Sequence, residues 1–83
     1  MSEVETEDDI LPSGVYQHYK GDHYLVLGVA RDDRDDTPLV VYARLYHRAG
    51  IPLTARPLID FRATVETPSG PVPRFLHVGS ATP

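Results

Sequence analysis

Apolar and polar positions alternate most clearly between Gly14 and Tyr46, where three runs rich in β-branched and aromatic residues are separated by two turn signals. Val15 to Tyr19 is the first predicted strand, Lys20-Gly21-Asp22 a tight connection, and His23 to Arg31 a second, longer strand. Gly28 interrupts that second run, and a glycine inside a strand marks a bend or a close backbone approach. The charged run from Asp32 to Thr37 reads as a loop closed by Pro38, and Leu39 to Tyr46 as the third strand. Beyond Tyr46 the segments are shorter and richer in Pro. His47 to Pro52 reads as a loop, Leu53 to Ala55 as a short extended piece, and Leu58 to Phe61 as one helical turn with Leu58 and Phe61 on one side. Ala63 to Thr67 and Pro73 to Val78 read as the last two strands, joined by the turn Pro68-Ser69-Gly70-Pro71, with Phe75 inward.

Period two assigns the faces. With Arg31 opposite Pro38, the residues Tyr24, Val26, Gly28 and Ala30 share a face with Leu39, Val41, Ala43 and Leu45, and this reads as the core. The first hairpin has two possible registers, His18 opposite His23 or Tyr19 opposite Tyr24. Both put Val15, Gln17 and Tyr19 on the core face. Both put Tyr16 and His18 on the second face, with His23, Leu25, Leu27, Val29, Val40, Tyr42, Arg44 and Tyr46. The second face is apolar near the acidic loop and polar-aromatic at its other end. A sheet that must bury one face and part of the other predicts a mainly-β fold: a small bent sheet or SH3-like barrel of about five strands, with one short helical turn.

Length and charge narrow the picture. Eighty-three residues make a single domain. Residues 12–78 are expected to form it, between a disordered acidic tail, 1–11, and a frayed end, 79–83. The formal net charge is −4, but Glu3, Glu5, Glu7, Asp8 and Asp9 all fall in the first ten residues, so the remainder sums to +1. Asp32, Asp33, Asp35 and Asp36 with Arg34 form a second acidic cluster. A mildly basic body with two acidic appendages accommodates an anionic partner, yet lacks the strongly basic balance of a dedicated nucleic-acid binder. The chain has no Cys, which excludes a disulfide framework and Cys-based zinc sites. No apolar run approaches the roughly 20 residues of a membrane span. The acidic start lacks the basic-then-apolar layout of a signal peptide, so a cytoplasmic protein without a membrane partner is expected.

Candidate chemistry is sparse. The serines Ser2, Ser13, Ser69 and Ser80 lie in tails or turns, and no nucleophile elbow is present. His18 and His23 are two imidazoles where zinc wants three or four ligands. The acidic loop lacks calcium-loop spacing. No cofactor is implied. What remains is an aromatic and cationic set: Tyr16, His18, Lys20, Tyr42, Arg44, Tyr46, Arg56 and Arg74. Rings stack on planar ligands, and guanidinium groups grip phosphate or carboxylate. The same residues also have ordinary structural uses, since Tyr is favoured in strands and Arg56 or Arg74 could pair with Asp60 or Glu66.

The order Gly14-x-Tyr16-x-His18-Tyr19-Lys20-Gly21-x-x-Tyr24, Gly28-x-Ala30, Val41-Tyr42-x-x-Leu45-Tyr46, Arg56-Pro57-x-x-x-Phe61 and Arg74-Phe75 resembles the bacterial family catalogued as domain of unknown function 1653. The resemblance spans residues 14–76. The chain departs from it at Leu53-Thr54-Ala55, where the family often has an aromatic residue, and in its more acidic loop. The resemblance implies a small mainly-β bacterial protein and supplies no activity. The expected function is a non-enzymatic module binding an anionic ligand, RNA, a nucleotide or another phosphate-bearing molecule, on the Tyr/Arg face. The alternatives are an SH3-like module for a peptide or protein partner and, with less support, a small enzyme using His18.

Overall fold

The structure is a computed structural model that describes residues 11–80. The expected acidic tail lies outside the described residues except for Leu11, which packs against the core, and residues 81–83 also lie outside them. In chain order the elements are β1 (Gly14–His18), β2 (His23–Arg31), β3 (Pro38–Arg44), β4 (Leu53–Pro57), α1 (Leu58–Phe61), β5 (Thr64–Thr67), β6 (Gly70–Pro73) and β7 (Phe75–Gly79). Five strands form an antiparallel sheet in the order β4-β3-β2-β1-β7, and β5 pairs with β6 in a second, two-stranded sheet. The fold is therefore mainly β, as the alternation predicts. Of the two architectures expected, it is the bent sheet: β4 and β7 are edges that do not meet.

The expected faces are wrong over much of the sheet, for two local reasons. The first is the β1–β2 turn. Gln17 lies opposite His23 and Tyr16 opposite Tyr24, a register of opposite parity to both expected ones. The His18 amide donates to the Asp22 carbonyl at 2.8 Å, and the Gly21 amide to the His18 carbonyl at 2.7 Å. This three-residue connection needs a positive φ at its last position, which Gly21 supplies at 115°. The second reason is a β-bulge. Arg31 does oppose Pro38 and Val29 opposes Val40, but Leu27 is an extra residue, and before it Val26 opposes Tyr42. The inward positions of β2 thus change from Val29 to Val26 and Tyr24.

The core consequently comprises Tyr16, Val26, Val40, Tyr42, Leu58, Phe61 and Phe75, with Leu11, Tyr24 and Val29 packed against it. Val41, Ala43, Leu39 and Leu45, expected inside, lie on the outer face; Tyr16 and Tyr42, expected on an open face, are each 4% exposed. The Arg56-Pro57 pair turns the chain from β4 into α1, because a residue before Pro avoids the helical region. α1 then presses Leu58 and Phe61 onto the inner face, the one helical turn expected. The Phe61 and Phe75 rings stack at 4.1 Å with planes 2° apart, and Tyr16 and Tyr42 meet Phe61 edge-on at 5.4 and 5.5 Å. Gly14, at φ 126°, lies so close to the Gly79 carbonyl that a Cβ there would clash, which lets β7 close against β1.

Candidate functional site

The inner face continues past the core into a polar-aromatic end where β1, β2, β4 and β7 come together. His18 packs edge-on against Phe75 at 5.0 Å and near Tyr24 at 6.4 Å, and its ring lies 4.6 Å from that of Tyr19. The Lys20 amide donates to His18 Nδ1 at 3.1 Å, so a neutral ring carries its proton on Nε2. Burial holds the His18 pKa below its usual value, and the charges of Lys20, Arg74 and Arg56 push it the same way against Asp22. His18 is therefore neutral at pH 7 in a region of positive potential.

The cations around it are positioned by specific contacts. Arg56 reaches across from β4, donates from Nε to the Tyr42 hydroxyl at 3.3 Å, and stands 6.0 Å from the Phe75 ring centre. Arg74 donates from Nε to the Asp60 carbonyl at 3.2 Å. Its backbone is clamped on both sides: its amide donates to Ala63 and its carbonyl accepts from Tyr19 at 3.0 Å. Lys20 lies over the Tyr19 ring at 5.8 Å. Among the described residues the ion pairs are Arg31–Asp36 and Arg34–Asp32, both at the β2–β3 loop. None of the three cations near His18 is ion-paired among the described residues, so neither Asp60 nor Glu66 pairs with Arg56 or Arg74 through its side chain.

Beside this rim Gln17, His18, Tyr19, Val72, Pro73 and Leu76 line an open cleft of about 350 Å³. That volume falls at the small end of ligand sites, which run from about 300 to 1,000 Å³. His18 belongs to both the cleft and the cationic rim, and Arg74 follows Pro73 directly.

The expected site residues divide accordingly. His18, Lys20, Arg56 and Arg74 come together. Tyr42 lies under them with its ring buried between Tyr24, Phe61 and Phe75. Tyr16 is in the core, where its hydroxyl donates to the Pro12 carbonyl at 2.6 Å and burial raises its pKa. Arg44 is turned into the loop after β3, donating to the carbonyls of Ile51, Arg48 and Gly50 at 2.8–3.1 Å. Tyr46 stands at the far edge, 3.1 Å from the Tyr24 hydroxyl. Burial first, and then the bond to Tyr46, pushes Tyr24 up to about 12, whereas that same bond lowers Tyr46. His18 and His23 point to opposite faces, because Gln17 and not His18 opposes His23. No group of three or more His, Asp or Glu is placed to hold a metal ion among the described residues.

Tyr19 and Gln17 are the lining residues that strand parity misplaces. Tyr19 is 39% exposed, against 4% for Tyr16 and Tyr42, and so offers the accessible tyrosine ring. The signal for it is the Lys20-Gly21 step: a glycine at the last of three loop positions sets the odd-length connection that frees Tyr19 from the ladder.

A small open antiparallel sheet with a second two-stranded sheet and one helical turn defines a small, mainly-β domain. The chain belongs to the family described as protein of unknown function DUF1653, whose family model matches residues 14–77. It is similar to a DUF1653 protein of known crystal structure from Bordetella bronchiseptica, at 56% sequence identity. The match covers 88% of this chain and 94% of that one, with a TM-score of 0.82. No curated protein matches. No helix among the described residues is long and apolar enough to cross a membrane.

Proposed function

We propose that the domain is a non-enzymatic binding module for an anionic ligand with a planar ring, a nucleotide or a short single-stranded RNA, held at the mouth of the cleft. The observation that carries this reading is the convergence of Lys20, Arg56 and Arg74 on His18, where their charges together with burial outweigh the one carboxylate that acts on it, Asp22, and where none of the three is ion-paired among the described residues. An anion there meets positive charge already gathered at some electrostatic cost. The ligand's ring has Tyr19 to stack on and the apolar wall of Val72, Pro73 and Leu76 to fill. His18 Nε2 donates a further hydrogen bond.

Fluorescence anisotropy with a short labelled RNA at several salt concentrations tests it. Arg74→Gln should lower the salt slope by about 0.7 unit, the share of one phosphate on a single strand. Tyr19→Ser should weaken binding roughly ten- to a hundredfold at an unchanged slope, since stacking on one ring is worth about 1–3 kcal/mol. Wild-type behaviour by both variants would remove the ligand from this cleft. The apolar lining favours a second reading, an extended Pro-rich peptide in an aromatic groove. Its binding should depend on Tyr19 and be nearly indifferent to salt.

A further inference from the structure

The outer face of the five-stranded sheet is apolar and carries no charge. Its outward positions include Leu25, Val41, Ala43, Leu45, Leu53 and Leu76, with the polar pair Gln17 and His23 at its β1–β2 turn end, and no Asp, Glu, Lys or Arg stands at an outward position of these five strands. Leu45, Leu53 and Leu76 are 52%, 50% and 56% exposed. α1 and its Phe61 lie on the opposite side, and β6 comes near this face only at its β1–β7 edge, where Val72 and Pro73 share a cleft with Gln17 and Leu76. Soluble monomers rarely leave a contiguous apolar patch of more than a few hundred Å². Five strands about 4.8 Å apart, with five to nine residues each rising about 3.3 Å, make a face of roughly 24 by 20 Å.

We propose that this face is the interface of a two-fold homodimer, two sheets packed face to face with their strands antiparallel. Three observations choose a second copy as the occupant. Two such faces together cover on the order of 1,000 Å² before side-chain relief is counted, close to the range of about 1,200–2,000 Å² for specific interfaces. A mainly aliphatic surface without Asp, Glu, Lys or Arg complements another of its kind, and aligned sheets interdigitate at about 10 Å separation. The ends of the sheet carry opposite charge. The Asp32–Asp36 loop lies at one end of β2, and Lys20 in its turn and Arg48 in the loop after β3 lie at the other, with Asp22 beside them. An antiparallel two-fold sets the acidic end of each copy against the basic end of its partner, whereas a parallel arrangement sets like charges together.

Sedimentation velocity at tens of micromolar reads the mass directly. The full chain should sediment at twice 9.2 kDa. The Leu45→Glu/Leu53→Glu variant should sediment as a monomer with an unchanged far-ultraviolet spectrum, its dissociation constant raised more than about a hundredfold by two charges replacing buried leucines. Because the chain has no Cys, an introduced thiol also reports the geometry. Leu27→Cys, at the middle of β2, should cross-link on mild oxidation, and Ile59→Cys, 80% exposed on α1, should not. A wild-type monomer, or a dimer that persists in the glutamate variant and cross-links through Ile59, overturns the proposal.

Discussion

The inner and outer faces of the five-stranded sheet are both apolar, yet they are made of different residues and do different things. The inner face is aromatic: Tyr16, Tyr24, Tyr42 and Phe75 meet Phe61 and one another mostly edge-on, and the tyrosine hydroxyls have partners in Pro12, Tyr46 and Arg56. The outer face is mainly aliphatic, and its polar side chains, Gln17 and His23, stand at the β1–β2 turn end. A tyrosine can be buried only where its hydroxyl finds a partner, and here the turn before β1 and the edge strand β4 provide one. The comparison shows that in this sheet with two apolar faces, the face that satisfies its tyrosine hydroxyls at the rim is the one that forms the core.

The sharpest way to break this comparison is to exchange neighbouring positions on β3. Tyr42→Ala removes a ring packed on Tyr24, Phe61 and Phe75 and should cost about 3–5 kcal/mol, a large share of the stability of so small a domain. Val41→Ala, on the outer face, should cost about 1 kcal/mol. Urea unfolding of the two variants measures both; equal losses would mean that the inner face is not the core. A smaller effect follows at Tyr16. Tyr16→Phe keeps the ring and leaves the Pro12 carbonyl without its 2.6 Å donor. It should cost about 1 kcal/mol, seen as a fall of about 5 °C in the thermal midpoint.

Those positions also show how far the sequence could be read. β1 to β5, the α1 turn and Phe75 as a core residue follow from alternation, turn residues and the Arg56-Pro57 step. β6 does not, because the pattern predicts a turn over Pro68-Ser69-Gly70-Pro71 and one last strand from Pro73 to Val78, whereas Gly70–Pro73 pairs with β5 and the strand breaks at Arg74 before β7 pairs with β1. The pairing of Arg31 with Pro38 follows as well. The inner face does not, because a one-residue change in a turn or a bulge reverses every assignment beyond it. Gly28 marked the disturbance in β2, but nothing in the run His23–Arg31 says that Leu27 is the extra residue. The cationic residues of the site were legible by type. Their assembly depends on contacts made by the C-terminal half, chiefly the clamp of Arg74 between Tyr19 and Ala63.

The smallest effect concerns protons at the inner rim. Burial and then the charges of Lys20, Arg74 and Arg56 hold the His18 pKa below 6.5 when the chain is folded. As pH falls below 6.5 the unfolded chain takes up this proton first, so stability declines downward from there until the folded value is passed. Thermal midpoints between pH 7 and 5 should therefore fall less steeply in His18→Gln than in the wild type. An equal slope would mean that His18 does not feel these cations. A bound anion has the reverse influence: it raises the His18 pKa, so affinity should grow as pH drops through the same window.

The proposal that the cationic rim and cleft hold an anionic ligand is tested most directly by following backbone and imidazole resonances while adenosine and guanosine nucleotides are added at low salt. Shifts should concentrate at Tyr19, Lys20, Val72 and Arg74, leave the outer-face residues Val41 and Ala43 in place, and be accompanied by a rise in the His18 pKa. Saturating nucleotide that moves none of these signals, or moves the outer face and leaves His18 titrating as before, would contradict the account.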